Sequence, residues 1–512
     1  MKTKHICQLI LLTLAIHFAA CNKIDDFLDA PPSKTTAVVP THVDHLEMLF
    51  NRYQSFANIN AGEIFLGTDD FYLSTALFDA SPGNYTTLEA GIATWNIDFI
   101  ERSGSNNFWA GGAGEWGKIF VANMILHYLP LVEGPEEQKQ QLYYEARFIR
   151  AHSMWLLAQV YCLPYVPGNE NEMGLPLKSS VSFEESVARA TLSETYAFIY
   201  ADLQAALNLD VTLREVNNKN RTWRASNAAV HAFMARFYQV QNNHEKALHH
   251  ADVALSLHND MMNYNVDIRF AEFLPTWGGE VAYIPFTAVN QSNPTDRMQW
   301  RELYFYRVLN NNGWWYIPSP ELLALYDKEY DLRYKYHMVE NYSFNFFANV
   351  AAGKRYYGYL FFFYDRIPAG PTVAEMHLIR AEALIRAGDI PGGMAALNTL
   401  RVNRMYSGAP HDRIHLSANN RAEALNHVFE ERRREKPFFL RWFDIRRLNS
   451  NDDPTDDIGD ITRTFYPVTS AGILGTAAPI TFTLPANSRL LARPIPLADI
   501  QASGGALRQN TW

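Results

Sequence analysis

Alanine recurs at helical spacing in paired segments, and no other feature constrains the fold of this chain so tightly. Between Ser226 and Gln241, the residues Ala229, Ala232, Phe233, Arg236 and Phe237 fall on one helical face. Glu245 to Leu257 repeats the pattern with Ala247, Leu248, Ala251, Ala254 and Leu255. Asn242 and Asn243 interrupt the periodicity, so the second helix turns back on the first. Small side chains on the shared face let the two axes approach closely, and the pair spans about 34 residues, the length of a tetratricopeptide unit. A second pair is predicted over Val373 to Ala387 and Gly392 to Met405, with Gly388 and Asp389 as the stop, Pro391 at the next start, and Ala381, Ala383, Ala395 and Leu397 as packing residues. Trp116 to Val132 and Gln138 to Val160 predict a third pair, and Leu192 to Leu209 a further helix. The expected fold class is mainly α, with tetratricopeptide-like helical hairpins stacked on one another.

Two long stretches, Asn58 to Gly114 and Asn259 to Pro371, fit no helical template and are dense in Gly, Asn, Pro and aromatic residues. Long irregular segments of this kind are rare unless they bind something, so they are read as a large loop-rich ligand face. Tyr356 to Tyr364 reads as a short buried strand within the second, and Asp452 to Trp512 is again loop-rich.

The amino terminus carries Lys2 and Lys4, an apolar run from Ile6 to Phe18, then Ala19, Ala20 and Cys21. This is the pattern of a secretory signal over residues 1–20, with Cys21 as a lipidated first residue of the mature chain. Acyl chains would hold such a protein on a membrane without a spanning helix. Of the three cysteines, Cys7 leaves with the signal, so Cys21 and Cys162 cannot make a disulfide framework. The net charge of -9 argues against a nucleic-acid partner, whose phosphates demand basic patches.

Four blocks carry a family resemblance. Ala146 to Tyr161, followed by Leu163, Pro164, Tyr165 and Val166, is the first; Ala374 to Asn398 is the second. The third joins Glu430-Glu-Arg-Arg-Arg-Glu435 to Arg441-Trp-Phe-Asp-Ile-Arg-Arg447, and the last is Arg493-Pro-Ile-Pro496 with Ile500, Gln509 and Asn510. In this order they resemble the motifs of the SusD/RagB family. The chain departs from the pattern at Cys162, where the family carries Gly, and at Lys436 to Leu440. The resemblance implies one SusD-like domain over 21–512, with an N-terminal part to about 260 and a C-terminal part from about 261. It also implies a lipid-anchored protein exposed on the cell surface at the outer membrane, an oligosaccharide or polysaccharide ligand, and a SusC-like TonB-dependent transporter as partner. Capture of peptide, as in the RagB branch, and a tetratricopeptide scaffold for other surface proteins are the alternatives.

Sugar recognition needs flat apolar faces for pyranose rings and polar groups for hydroxyls. The first irregular segment offers Asp69, Asp70, Trp95, Asn96, Asn107 and Trp109; the second offers Trp277, Trp300, Arg301, Trp314, Trp315 and Tyr316. The resemblance is the only reason to join the two sets. Adjacent in an extended chain, Asp69 and Asp70 are expected to point apart, as ligand hydrogen-bonders rather than a hydrolytic dyad. Trp116, Trp155 and Trp442 belong to scaffold motifs, and the charged block from Glu430 to Glu435 reads as a salt-bridged junction to Trp442 and Phe443. No nucleophile elbow, zinc-protease motif or phosphate loop occurs, so no enzyme activity and no cofactor are expected. His411 and His415 read as a solvated pair, His249 and His250 as surface residues, and the aspartates between Asp452 and Asp460 as an acidic loop rather than a calcium or other metal site.

Overall fold

Each alanine-rich pair folds as two helices packed against each other, with caps where the sequence places them. In this computed structural model the described residues are 39–512, apart from 81, 103–107, 110–113, 214, 217–218, 271–275, 278–279, 282–284, 288–299, 311–315, 343–355, 360 and 362–365. The signal segment and Cys21 therefore lie outside the described residues. Helix α1 (Val43–Phe50) lies against α2 (Glu115–Tyr128) and α3 (Glu136–Tyr161), and α4 (Leu192–Ala206) packs along α3. A capping box starts α4, with the Thr191 hydroxyl accepting from Glu194 N and the Glu194 carboxylate accepting from Thr191 N. Next come α5 (Asn227–Val240) and α6 (His244–Leu257), whose turn holds Asn242 at φ 57, a left-handed conformation that asparagine tolerates.

Helices α7 (Val373–Arg386) and α8 (Ile390–Arg401) form the corresponding pair downstream. Their contact is tight at Gly393, where a Cβ would sit 2.4 Å from Ile385 Cγ1 and 2.8 Å from the Ala381 carbonyl. Helix α6 lies on α7 and α7 on α9 (Arg421–Glu435), so the hairpins stack into a tetratricopeptide-like layer. The large apolar cluster draws on both halves of the chain, from Val43 to Leu507, and a smaller one joins α7, α8 and α9 through Leu378, Leu397 and Val428.

The charged block is a buried junction. Arg432 of α9 makes a two-point contact with Asp444 of α10 (Leu440–Leu448) at 3.0 and 2.9 Å, and Arg447 clamps Glu382 of α7 at 2.6 and 2.9 Å. Glu375 of α7 accepts from Arg236 of α5 and from Lys436. Burial pushes the Glu375 carboxyl up, but those two cations outweigh it and hold its pKa at about 2.

The irregular stretches contain more regular structure than their sequence announces. Short helices occupy Gly62–Leu66, Thr75–Ala80, Thr87–Ala93 and Ile97–Arg102, each too brief to display a full helical period. Strand β1 (Asn58–Ile59) runs parallel to β2 (Val308–Asn310), which pairs on its other side with antiparallel β3 (Arg366–Pro368), so the two stretches share one small sheet. Tyr356–Tyr359 is a strand paired with Met338–Tyr342. The carboxy-terminal loops carry an antiparallel ladder of β4 (Ile461–Phe465) with β5 (Ile480–Leu484). Among the described residues no helix is long and apolar enough to cross a membrane.

Candidate functional site

A groove of about 540 Å³ opens where three separate segments meet. One wall is the extended stretch after Asp70. Tyr72 N donates to the Ile317 carbonyl at 2.9 Å and Ser319 N to the Asp70 carbonyl at 2.8 Å, which fixes this stretch beside residues 317–319. The same wall continues into the helix Pro320–Ala324, capped by Ser319. The opposite wall is β4, whose alternation buries Ile461, Arg463 and Phe465 and turns Thr462 and Thr464 outward. Asp69 and Arg441 close the base.

The lining suits a ligand rich in hydroxyls. Tyr72 is 40% exposed and offers a ring face, while Thr462, Thr464, Glu321 and Asp460 supply hydroxyl and carboxylate oxygens. The guanidinium groups are already engaged. Arg441 makes a two-point contact with Asp69 at 2.7 Å for each bond, and Arg463 donates to the carbonyls of Leu66, Ala93 and Thr68 while lying over the Trp95 ring. Burial lowers the Arg463 pKa to about 9, which still leaves it charged at neutral pH. The volume falls within the few hundred to about 1,000 Å³ of small-molecule sites.

Strained backbone borders this base. Trp95 has φ 55 and Phe438 has φ 68, both left-handed, which is costly for bulky residues. Each is held by hydrogen bonds: Trp95 Nε1 donates to the Gly67 carbonyl at 3.1 Å, and Phe438 N donates to the Asp70 carboxylate at 2.9 Å.

The ligand residues expected from sequence divide sharply. Asp69 lines the groove, but Asp70 is fully buried beneath it, and the two do not point apart. They sit in a turn and both meet Arg433, at 3.4 Å for Asp69 and 2.7 Å for Asp70. Burial raises both carboxyls; for Asp69 the charges of Arg441 and Arg433 prevail and hold it well below the usual range, whereas Asp70 stays raised. Trp95 and Trp109 are core residues at 3% and 4% exposure, Trp109 packing edge-on against Tyr161 and Trp116. Tyr316 is also interior, its hydroxyl donating to the Leu309 carbonyl at 2.8 Å. Asn96 is a structural cap, accepting from Phe99 N and donating to the Val468 carbonyl. Trp300 is buried against Phe361 beside a cavity of about 20 Å³, room for about one water. Arg301 is half-exposed and paired with Asp267 and Asp260. Trp314, Trp315 and Asn107 lie outside the described residues, as does the Trp277 side chain; the Trp277 backbone forms the strand Thr276–Trp277.

Tyr72, Thr462, Thr464, Glu321 and Asp460 line the groove but are not ligand candidates from sequence, where Asp460 reads as part of an acidic loop. The sequence points to indoles and polar residues of the two irregular segments, whereas this groove also takes Asp460, Thr462 and Thr464 from the carboxy-terminal loops, brought beside Tyr72 and Glu321 by the fold. Elsewhere, His250 is buried rather than on the surface, its Nδ1 lying 3.0 Å from His231 Nδ1. His411 and His415 stack on each other, and the carboxylates of Asp453 and Asp456 face Arg386 and Arg421. Among the described residues no three His, Cys, Asp or Glu side chains gather as metal ligands.

A stack of tetratricopeptide-like hairpins carrying an open polar groove on its irregular segments defines the class: an α-helical scaffold built to present a cleft. The chain belongs to the SusD/RagB family. The family model described as starch-binding, associating with outer membrane, matches residues 26–239, and the SusD family model matches 373–512. Solved structures with the same fold include surface glycan-binding protein A from Bacteroides uniformis, at TM-score 0.63 and 14% identity over 91% of this chain and 99% of that one. A SusD-like carbohydrate-binding protein from Bacteroides vulgatus aligns at TM-score 0.57 and 16% identity over 91% and 97%. A laminarin-binding SusD-like protein aligns at TM-score 0.54 and 14% identity over 82% and 96%. No curated protein sequence matches the chain.

Proposed function

We propose that this protein is a surface glycan-binding lipoprotein that captures oligosaccharide in the groove between Tyr72 and β4 and delivers it to a SusC-like TonB-dependent transporter. The observation that carries the reading is the groove itself, with its hydroxyl and carboxylate lining and one exposed tyrosine face. Pyranose hydroxyls both donate and accept, and the axial hydrogens of a ring pack on an aromatic face. The segment bearing Trp314 and Trp315 precedes Ser319 to Glu321, which line one wall, by a few residues in sequence, so we assign these indoles to the ligand together with Asp69. Tethering through Cys21 would hold the protein at the outer membrane facing outward, beside the transporter it serves. The carbohydrate-binding and laminarin-binding proteins of the same fold support a sugar over a peptide.

Native gel electrophoresis through embedded polysaccharides tests this. The mature protein is expected to be retarded by at least one neutral glycan and by no casein or gelatin matrix, and oligosaccharides incubated with it should be recovered at their original length. Retardation by protein matrices alone would establish peptide capture instead, and shortened sugars would establish a hydrolase.

A further inference from the structure

Most buried arginines of this chain meet an anion of the protein. Arg236, Arg333, Arg404, Arg432 and Arg447 each reach a carboxylate, and Arg446 reaches the carbonyls of Leu491 and Cys162. Arg307, just before β2, differs from all of these. Its side chain is fully buried, its guanidinium lies 5.0 Å from the centroid of the Phe305 ring, and none of its three nitrogens has a hydrogen-bond partner among the described residues.

The surroundings share this deficit. His152 of α3 contacts the same Phe305 ring at 5.3 Å, is fully buried, and has no partner at either ring nitrogen among the described residues. Glu115, at the start of α2, gives Oε1 to Lys118, while its Oε2 is buried and unpartnered. Glu115, the carboxylate whose charge acts on Arg307, is already paired with Lys118, and Arg236 and Lys436 share the single carboxylate of Glu375. His152 adds no charge: burial and the positive field of Arg307, Arg236 and Lys118 push its pKa well below the usual value. Burial lowers the Arg307 pKa only to about 10, so the guanidinium stays charged at neutral pH.

A buried charge needs both hydrogen-bond acceptors and a compensating charge. Water supplies only the first. We propose that the interior at Arg307 binds a small monovalent anion of chloride size, accepting from the guanidinium and seated beside His152, as a structural ligand that joins β2 to α2 and α3.

Two measurements on the unaltered protein test the proposal. Thermal unfolding in sodium chloride and in sodium gluconate of equal ionic strength should show a saturable rise in Tm with chloride only. A crystal grown in sodium bromide should show an anomalous bromide peak within hydrogen-bonding reach of Arg307. Arg307→Leu should then melt at a temperature independent of chloride; if this variant fails to fold, the two measurements on the unaltered protein decide. Ordered water without halide at Arg307 would overturn the proposal. So would a bromide peak there with a chloride-independent Tm, which would mean an adventitious ion only.

Discussion

Asp69 shows how a single carboxylate can belong to both scaffold and groove. It is 26% exposed at the groove base, yet both oxygens are held by Arg441, with Arg433 behind. A sugar hydroxyl can reach it only at the edge of this pair, so the residue shapes the floor more than it offers free acceptors. Its folded pKa lies below the ordinary value of about 3.9, so its stabilising contribution is fully present above about pH 4 and is lost as pH falls toward the folded pKa. Asp70, whose pKa is raised, acts in the opposite sense and loses its contribution as pH rises. Asp69→Asn should therefore cost about 1–3 kcal/mol at neutral pH and less at pH 3, by up to about 1 kcal/mol, a difference read by urea unfolding at the two pH values. Equal destabilisation at both would show that the Arg441 pair contributes nothing through charge. The aspartates were visible in the sequence as polar residues of an irregular segment. Their arginine partners, more than 360 positions away, were not.

Secondary structure was legible wherever an element was long enough to repeat its own period. Helices α5, α6, α7 and α8 begin after Ser226, Asn243, Thr372 and Asp389 because each of these residues accepts a hydrogen bond from the first turn. The short helices between Gly62 and Arg102 were not legible, since five to seven residues cannot display a face. Nor was the three-stranded sheet, whose strands are two or three residues long and drawn from distant segments. The alanine rule also passed over Gly393, which marks a close approach of α7 and α8. Gly393→Ala improves local helix propensity but drives a methyl group into Ile385 and the Ala381 carbonyl, so a net loss of about 1–3 kcal/mol is expected from overpacking. Denaturant melts that find this variant as stable as the parent, or more so, would show that the hairpin can widen freely.

At the scale of the whole molecule, the family and its helical layer could be read from ordered motifs, whereas the ligand face could not. An indole in an irregular segment has no periodicity to separate binding from packing. Trp95 and Trp109, both in irregular segments, are core residues. The groove depends instead on the pairing of residues 71–72 with 317–318, far apart in sequence, and on the outward face of β4. Its role is tested most directly by titration calorimetry of the best-retained oligosaccharide against the parent protein, Tyr72→Ala and Thr462→Trp, with each melting temperature measured in parallel. Loss of the tyrosine face should weaken binding several-fold, in line with about 0.5–1.5 kcal/mol for an aromatic contact. The indole at position 462, which fills the groove from β4, should weaken it by more than tenfold, or about 1.4 kcal/mol. Both variants should melt within a few degrees of the parent, because neither side chain belongs to the core. Parental affinity in both variants would contradict the account and place the sugar elsewhere on the molecule.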